Sequence, residues 1–455
     1  MKTPLEHSSF KLDVSGIAGF FGGEEAFAAM SSVHLVRGRR WLGWYNSPGS
    51  YFVAKKYGVL AQSRIWDGLY PGVNVDPAKM LELDGKNGPR YTAVHSGTRL
   101  PTTGHLAYLF ANHCDKEPGS PIQKEVVKES PSDVFLTIAK LDDFKKFEGY
   151  PNVPDNSFSP FNPLSLIAMG YSFGACAICG IFNDWFCFSM ILLGILSNGI
   201  SCYIIGSGVL QVKRVDPSPN SPPGDGILEG ARRVILLKGS EQSVTTITRA
   251  SFYLHYKSET QYHDIGWSAA ALTTQFLLQL FIIPQGTLFG QIMFLSSFAV
   301  SWIYNAYLAS LDTEALQRGI LTKILLQKPV IWTIRFPKRT ALVVFVAVYT
   351  DAEDPRSFLD EMIPNNTSVW RLVKETITEA ILTEKDPEVV VGSKSQVVNE
   401  LRSKDQGLVQ DMLKQASIGY NAAKKIQRQE IQVTGVQVNY RSGRAPAESS
   451  YTHTV

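Results

Sequence analysis

Polar and apolar residues are unevenly placed along this chain. Residues 157–212 carry a single charged side chain, Asp184, and residues 265–311 carry none. A bilayer core of roughly 30 Å takes about 20 residues of helix at 1.5 Å each, so each block is too long for one span and about right for two. The pattern predicts two helical hairpins. Residues 163–182 and 185–210 are joined at Asn183-Asp184, and residues 266–283 and 287–309 at Pro284-Gln285-Gly286. Pro163 suits a first helical turn. Trp185, Trp267, Trp302, Tyr304 and Tyr307 fall near the predicted span ends, where amphipathic rings are favoured.

The flanks read differently. Residues 1–156 are rich in Gly, Pro and Asn and hold short apolar runs at 51–53, 57–60, 91–94 and 106–110, separated by turn pairs such as Asp67-Gly68 and Asp84-Gly85. They are expected to form a strand-rich soluble region with a helix near 131–147. Residues 213–264 are expected to be a cytosolic loop with a strand pair, 232–237 and 243–256, around Lys238-Gly239. Residues 313–393 read as a C-terminal α/β region: a basic juxtamembrane segment with helical periodicity at 316–327, a buried strand at 340–349 and an amphipathic helix at 368–383. A polar helix (396–428) and a disordered tail (from 442) make up residues 394–455. The expected architecture is thus an α-helical integral membrane protein with four transmembrane helices in two hairpins (163–210 and 266–309) and mixed α/β cytosolic regions.

Whole-chain averages conceal this, since 455 residues with a net charge of +3 and 44% hydrophobic content would suit a soluble protein. Charge position is more informative. Lys145, Lys146, Lys213, Arg214, Lys257, Arg318 and Lys323 all flank the outer ends of the hairpins and none flanks a turn. By the positive-inside rule both termini and the middle loop face the cytosol. Residues 1–13 are polar and 14–30 are interrupted by Glu24 and Glu25, so no cleavable signal is expected and insertion starts from an internal span. The overlapping sequons at Asn365 and Asn366 would be used only on a lumenal domain, and are expected to stay unmodified.

Candidate chemistry adds little. Four of the five cysteines lie in the first apolar block, and Cys176-x-x-Cys179 lacks a second ligand pair, so the thiols read as small packing residues. No catalytic residue, cofactor, metal site or nucleic-acid surface is read from the chain. Gly170, Gly174 and Ala177 give the first helix a flat face for packing, within the bundle or between protomers. Asn198, Gln275, Gln279, Ser301 and Asn305, with Ser297, recur at helical spacing and are candidates for a polar path, or for interhelical hydrogen bonds averaging about 0.6 kcal/mol each. Between residues 315 and 350 stand Arg318, Lys323, Lys328, Arg335, Lys338 and Arg339 with no carboxylate. Such a strip is a candidate contact for anionic lipid, and its apolar face at Leu316, Ile320 and Ile324 would let it lie along the membrane. Arg37-Gly38-Arg39-Arg40, followed by Trp41 and Trp44, forms a short basic and aromatic cluster.

The stretch Pro284-Gln285-Gly286-Thr287-Leu288-Phe289-Gly290-Gln291-Ile292-Met293-Phe294, continuing through Ser301-Trp302-Ile303-Tyr304-Asn305 to Leu311-Asp312, resembles uncharacterised multi-pass membrane proteins of basidiomycete fungi. The resemblance extends from the first hairpin to about residue 382. It implies membrane placement and a fungal source, and brings no catalytic residue. The reading is a non-enzymatic multi-pass membrane protein acting through protein or lipid contacts on its cytosolic face, with homo-oligomerisation open. A small-solute transporter or channel, and a reticulon-like membrane-shaping hairpin protein, are the alternatives.

Overall fold

The computed structural model describes residues 21–36, 38–73, 75–117, 119–121, 133–141, 163–230, 233–258, 261–393, 398 and 401–434. Its helices are α1 (Gly23–Ser31), α2 (Ser50–Gly58), α3 (Arg64–Leu69), α4 (Pro77–Met80), α5 (His105–Lys116), α6 (Pro163–Ile181), α7 (Trp185–Ile205), α8 (Glu241–Thr248), α9 (His263–Ile282), α10 (Leu288–Ala309), α11 (Thr313–Gly319), α12 (Arg339–Tyr349), α13 (Pro355–Met362), α14 (Ser368–Leu382), α15 (Pro387–Ser393) and α16 (Ser403–Thr434). Its strands are β1 (Tyr91–Ala93), β2 (Arg99–Leu100), β3 (Ser120–Pro121), β4 (Val134–Lys140), β5 (Val209–Lys213), β6 (Gly226–Glu229), β7 (Val234–Lys238), β8 (Ser251–His255) and β9 (Val330–Phe336).

Four helices, α6, α7, α9 and α10, are long and apolar enough to cross a membrane, and they fall where the two uncharged blocks predict them. Helix α7 stops at Ile205, short of the expected 210, because Val209–Lys213 leaves the helix to pair with β8. At the opposite end the two turns are tied together. Asp184 caps α7 by accepting from the Cys187 amide at 3.1 Å, and its other oxygen accepts from the Thr287 amide (2.8 Å) and hydroxyl (2.6 Å). The one charged residue of the two blocks therefore joins hairpin tip to hairpin tip, buried to 3% exposure.

All three flanking segments meet in one seven-stranded sheet of order β2-β1-β6-β7-β4-β9-β3. It takes β1 to β4 from before α6, β6 and β7 from between the hairpins, and β9 from after α10. Both hairpins therefore return to the same end of the molecule. The sheet is buried on both faces, so β7 reads as the continuous run Ile235-Leu236-Leu237. Leu136, Ile138, Ile227, Leu236 and Ile334 pack under α12, α13, α14 and α16. Ala139, Leu228, Ile235 and Leu237 face α5, α8 and the bundle side.

Several flank expectations are overturned. Residues 51–53, 57–60 and 106–110, expected as strands, lie in or at the end of helices α2 and α5; only 91–94 contains a strand. Within the helix expected at 131–147, Val134–Lys140 is a central strand and the remainder lies mostly outside the described residues. The strand pair at 232–237 and 243–256 does not form, because Ser240 caps α8, β7 pairs with β6 and β4, and β8 pairs with β5. Residues 340–349 form helix α12, with every side chain from Ala341 to Tyr349 buried. An element buried all round loses the polar face that would reveal its period, and short runs then mislead. Against it, Gly419 lets α16 approach so closely that a Cβ there would stand 2.1 Å from the Ala341 carbonyl oxygen. The amphipathic helix at 368–383 is present as α14, and the expected tail lies outside the described residues.

Candidate functional site

The buried polar residues of the bundle converge on a segment that the sequence pattern assigns to a soluble region. Helix α1 packs on α10, α2 packs on α9, and α1 and α2 pack on each other, closing a ring with α6 and α7. Between α1 and α2, residues 43–50 are all buried apart from the half-buried Trp44. The descent follows α7 backwards. A Cβ on Gly206 would meet Arg40, one on Gly43 would meet Cys202, Trp44 covers Gly199, and a Cβ on Gly194 would stand 1.9 Å from Asn46 Oδ1. The chain then turns at Pro48-Gly49, where Gly49 has φ 74° and lies against Gly23, and leaves along α2.

Asn46, fully buried, stands at the middle of the ring of helices. Its amide donates to Ser172 Oγ (3.1 Å) and its Nδ2 to Ser297 Oγ (2.8 Å). Ser172, Gly194 and Ser297 each lie close to the midpoint of their helix. Asn198 Nδ2 donates to the Gly43 carbonyl (2.7 Å). Asn305 accepts from Tyr45 OH (2.7 Å) and donates to Ser47 Oγ (3.0 Å). Gln279 Nε2 donates to the Met190 carbonyl (3.2 Å) and Gln275 Nε2 to Gln279 Oε1 (3.4 Å). Ser301 lies one turn from both Ser297 and Asn305, on the stripe that faces the loop. Ser172, Asn198, Ser297 and Asn305 thus supply hydrogen-bond partners to the loop inside the ring of helices.

Above the loop sits Arg39. Its Nη2 donates to Tyr45 OH (3.1 Å), and the guanidinium lies 6.0 and 5.4 Å from the ring centroids of Tyr45 and Tyr304. Two aromatic faces thus flank a buried cation whose Nε and Nη1 have no hydrogen bond. Nearby, His34 Nδ1 lies 3.1 Å from the Gly208 carbonyl, and burial lowers its pKa to about 4. The folded state therefore refuses a proton that the unfolded chain takes up below about pH 6.5. Stability is expected to fall between pH 6.5 and 4, by roughly 3 kcal/mol from this group. Unfolding midpoints of the purified protein against pH test this; His34→Gln should flatten the acid limb.

The remaining candidate residues are scattered. Gly170 and Gly174 face outward, with nothing within 4 Å of where a Cβ would stand, and Ala177 is exposed, so this face does not pack within the bundle. Helix α6 turns Ala168, Ser172, Ala175 and Cys179 inward instead. Of the six cations after α10, Arg318 meets Asp312, the cap of its own helix, while Arg335 and Arg339 meet Asp133 and Glu229 from other parts of the chain. Lys323, Lys328 and Lys338 are exposed. Ile320 and Leu321, on the apolar side of this strip, sit in the protein core. Among the described residues no group of three or more His, Cys, Asp or Glu is placed to hold a metal.

The sequence did contain a signal for the loop. Residues 41–54 carry no charge over a length too short to span, which suits a re-entrant or buried segment. Set against protein-family models, curated proteins and solved structures, the chain matches none of them.

Proposed function

We propose that this chain is a four-span integral membrane protein, with both termini and the loop between hairpins in the cytosol, that acts without catalysis through protein or lipid contacts of its cytosolic face. One observation carries the reading. The sheet takes strands from all three flanking segments, so both hairpins return to one end, and the Lys and Arg that flank the hairpins stand on those segments and not at the two short turns. Lys323, Lys328 and Lys338, exposed in the segment that follows α10 in the chain, supply the cations for an anionic-lipid contact. The outward Gly170 and Gly174 face is available to a second copy.

Asn183, exposed at the first tip, offers the test. In sealed vesicles with the cytosolic face outward, Asn183→Cys should react with an impermeant maleimide only after the membrane is opened. Reaction in intact vesicles would contradict the orientation, as would a mobility shift of the wild-type chain on removal of N-glycans. A site that reacts only in detergent would favour the membrane-shaping alternative, in which the hairpins stop inside one leaflet.

A transport reading has one observation in its favour. Asn46 Oδ1, Gln275 Oε1 and Ser301 Oγ are buried around the loop without a partner. Solute flux in proteoliposomes that vanishes on Asn198→Leu would support it.

A further inference from the structure

Beside the loop, a second part of the N-terminal region follows α9 along its length. Ser63 caps α3, a short helix whose Trp66 ring lies where a Cβ on Gly266 would come within 2.5 Å, and edge-on to Trp267 with centroids 5.3 Å apart. Tyr70 follows, filling the space over Gly58, and its hydroxyl is 2.8 Å from Thr273 Oγ1. Thr273 lies ten residues beyond His263, the first residue of α9. At 1.5 Å per residue the contact is about 15 Å along the helix. Residues 66–70 therefore flank the first half of a helix long and apolar enough to span.

Their outer side is apolar. Ile65 and Leu69, one helical turn apart, are 73% and 59% exposed, Val73 is 82% exposed, and Trp267 beside them is 68% exposed. On a water-facing domain four large apolar side chains this bare would be an unusual patch. Further along α9 the same kind of surface continues, with Leu277, Leu278 and Phe281 exposed.

We infer that residues 63–73 are a membrane-inserted element, whose Ile65, Leu69 and Val73 side chains dip into the boundary between headgroups and acyl chains around α9. The occupant of this face is the lipid bilayer, because the patch is continuous with the outward surface of α9; the inference rests on the proposed membrane placement of that helix. Trp267 marks the headgroup level, where its ring is favoured. Arg64 and Asp67, exposed on the same short helix, stay on the polar side. An apolar face in this position is typically buried about 5–10 Å into the boundary.

The test places single cysteines at Ile65, Leu69 and Val73, each carrying an environment-sensitive fluorophore, in phosphatidylcholine nanodiscs. The five native cysteines are buried and need no replacement. Phe281→Cys on α9 and Asn365→Cys on the exposed α13–α14 connection serve as references. With lipid brominated in the upper acyl chain, emission at 65, 69, 73 and 281 should be roughly halved, and that at 365 unchanged. Quenching at 281 alone, with iodide reaching 65, 69 and 73 from water, would overturn the inference and leave the span reading standing. Absence of quenching at 281 would overturn both.

Discussion

Gly194→Ala is expected to push the re-entrant loop out of register and to destabilise the protein by roughly 1–3 kcal/mol, the usual range for overpacking a tight core. The added methyl would stand 1.9 Å from Asn46 Oδ1 and 3.2 Å from Gln279 Nε2, in a place where helix backbone and loop already touch. Neither partner can retreat easily, because Asn46 is held by Ser172 and Ser297 and Gln279 by the Met190 carbonyl. A second substitution separates this cause from a generic helix defect. Asn46→Gly removes the colliding atom, so Gly194→Ala should cost little more in that background. Thermal midpoints of the four proteins in detergent complete the cycle; strict additivity would mean that the loop does not lie against Gly194.

Asp184→Ala should have a comparable or larger effect at the hairpin tips. It removes a helix cap, worth about 1 kcal/mol, and leaves the Thr287 amide and hydroxyl without their charged acceptor, for a total of about 2–4 kcal/mol. The carboxylate also fits a space that only glycine leaves open, since a Cβ on Gly290 would meet its Oδ2 at 2.0 Å. Asp184→Asn keeps one acceptor oxygen and should lose about half as much, and Thr287→Val should fall between the two. Equal midpoints for Asp184→Ala and wild type would show that the tips are not joined through this residue.

How much of this could be read in advance depends on what surrounds each element. The four long helices were legible because lipid-length apolar runs without charge have few other meanings; α6 starts at Pro163 and α7 after the Asp184 cap as expected, whereas α9 starts at His263, three residues before the expected 266. Helix α12 was misread because Ala341 to Tyr349 is covered on every side, leaving no polar face to betray a period of 3.6. The sheet was hidden for a different reason: β1, β4, β6, β7 and β9 pair across segments separated by the spans, and no local pattern encodes such partners. The polar residues picked out in the sequence, Asn198, Gln275, Gln279, Ser301 and Asn305, are all buried, but the loop that Asn198 and Asn305 bind was missed. A loop such as Gly43 to Ser50 has no hydrophobic period; the uncharged run 41–54 hints at its burial, but which helices hold it follows only from the hydrogen bonds they offer.

Everything proposed for the bundle depends on residues 43–50 lying inside the ring of helices, near the middle of their length. Oxidative cross-linking in native membranes tests this most directly, using Asn46→Cys with Ser297→Cys, the pair whose wild-type side chains are 2.8 Å apart. The expected result is a disulfide joining the loop peptide to the α10 peptide, found by mass spectrometry, with neither thiol open to an impermeant maleimide beforehand. Free labelling of the thiol at position 46 from the aqueous phase, with no cross-link to position 297, would contradict it.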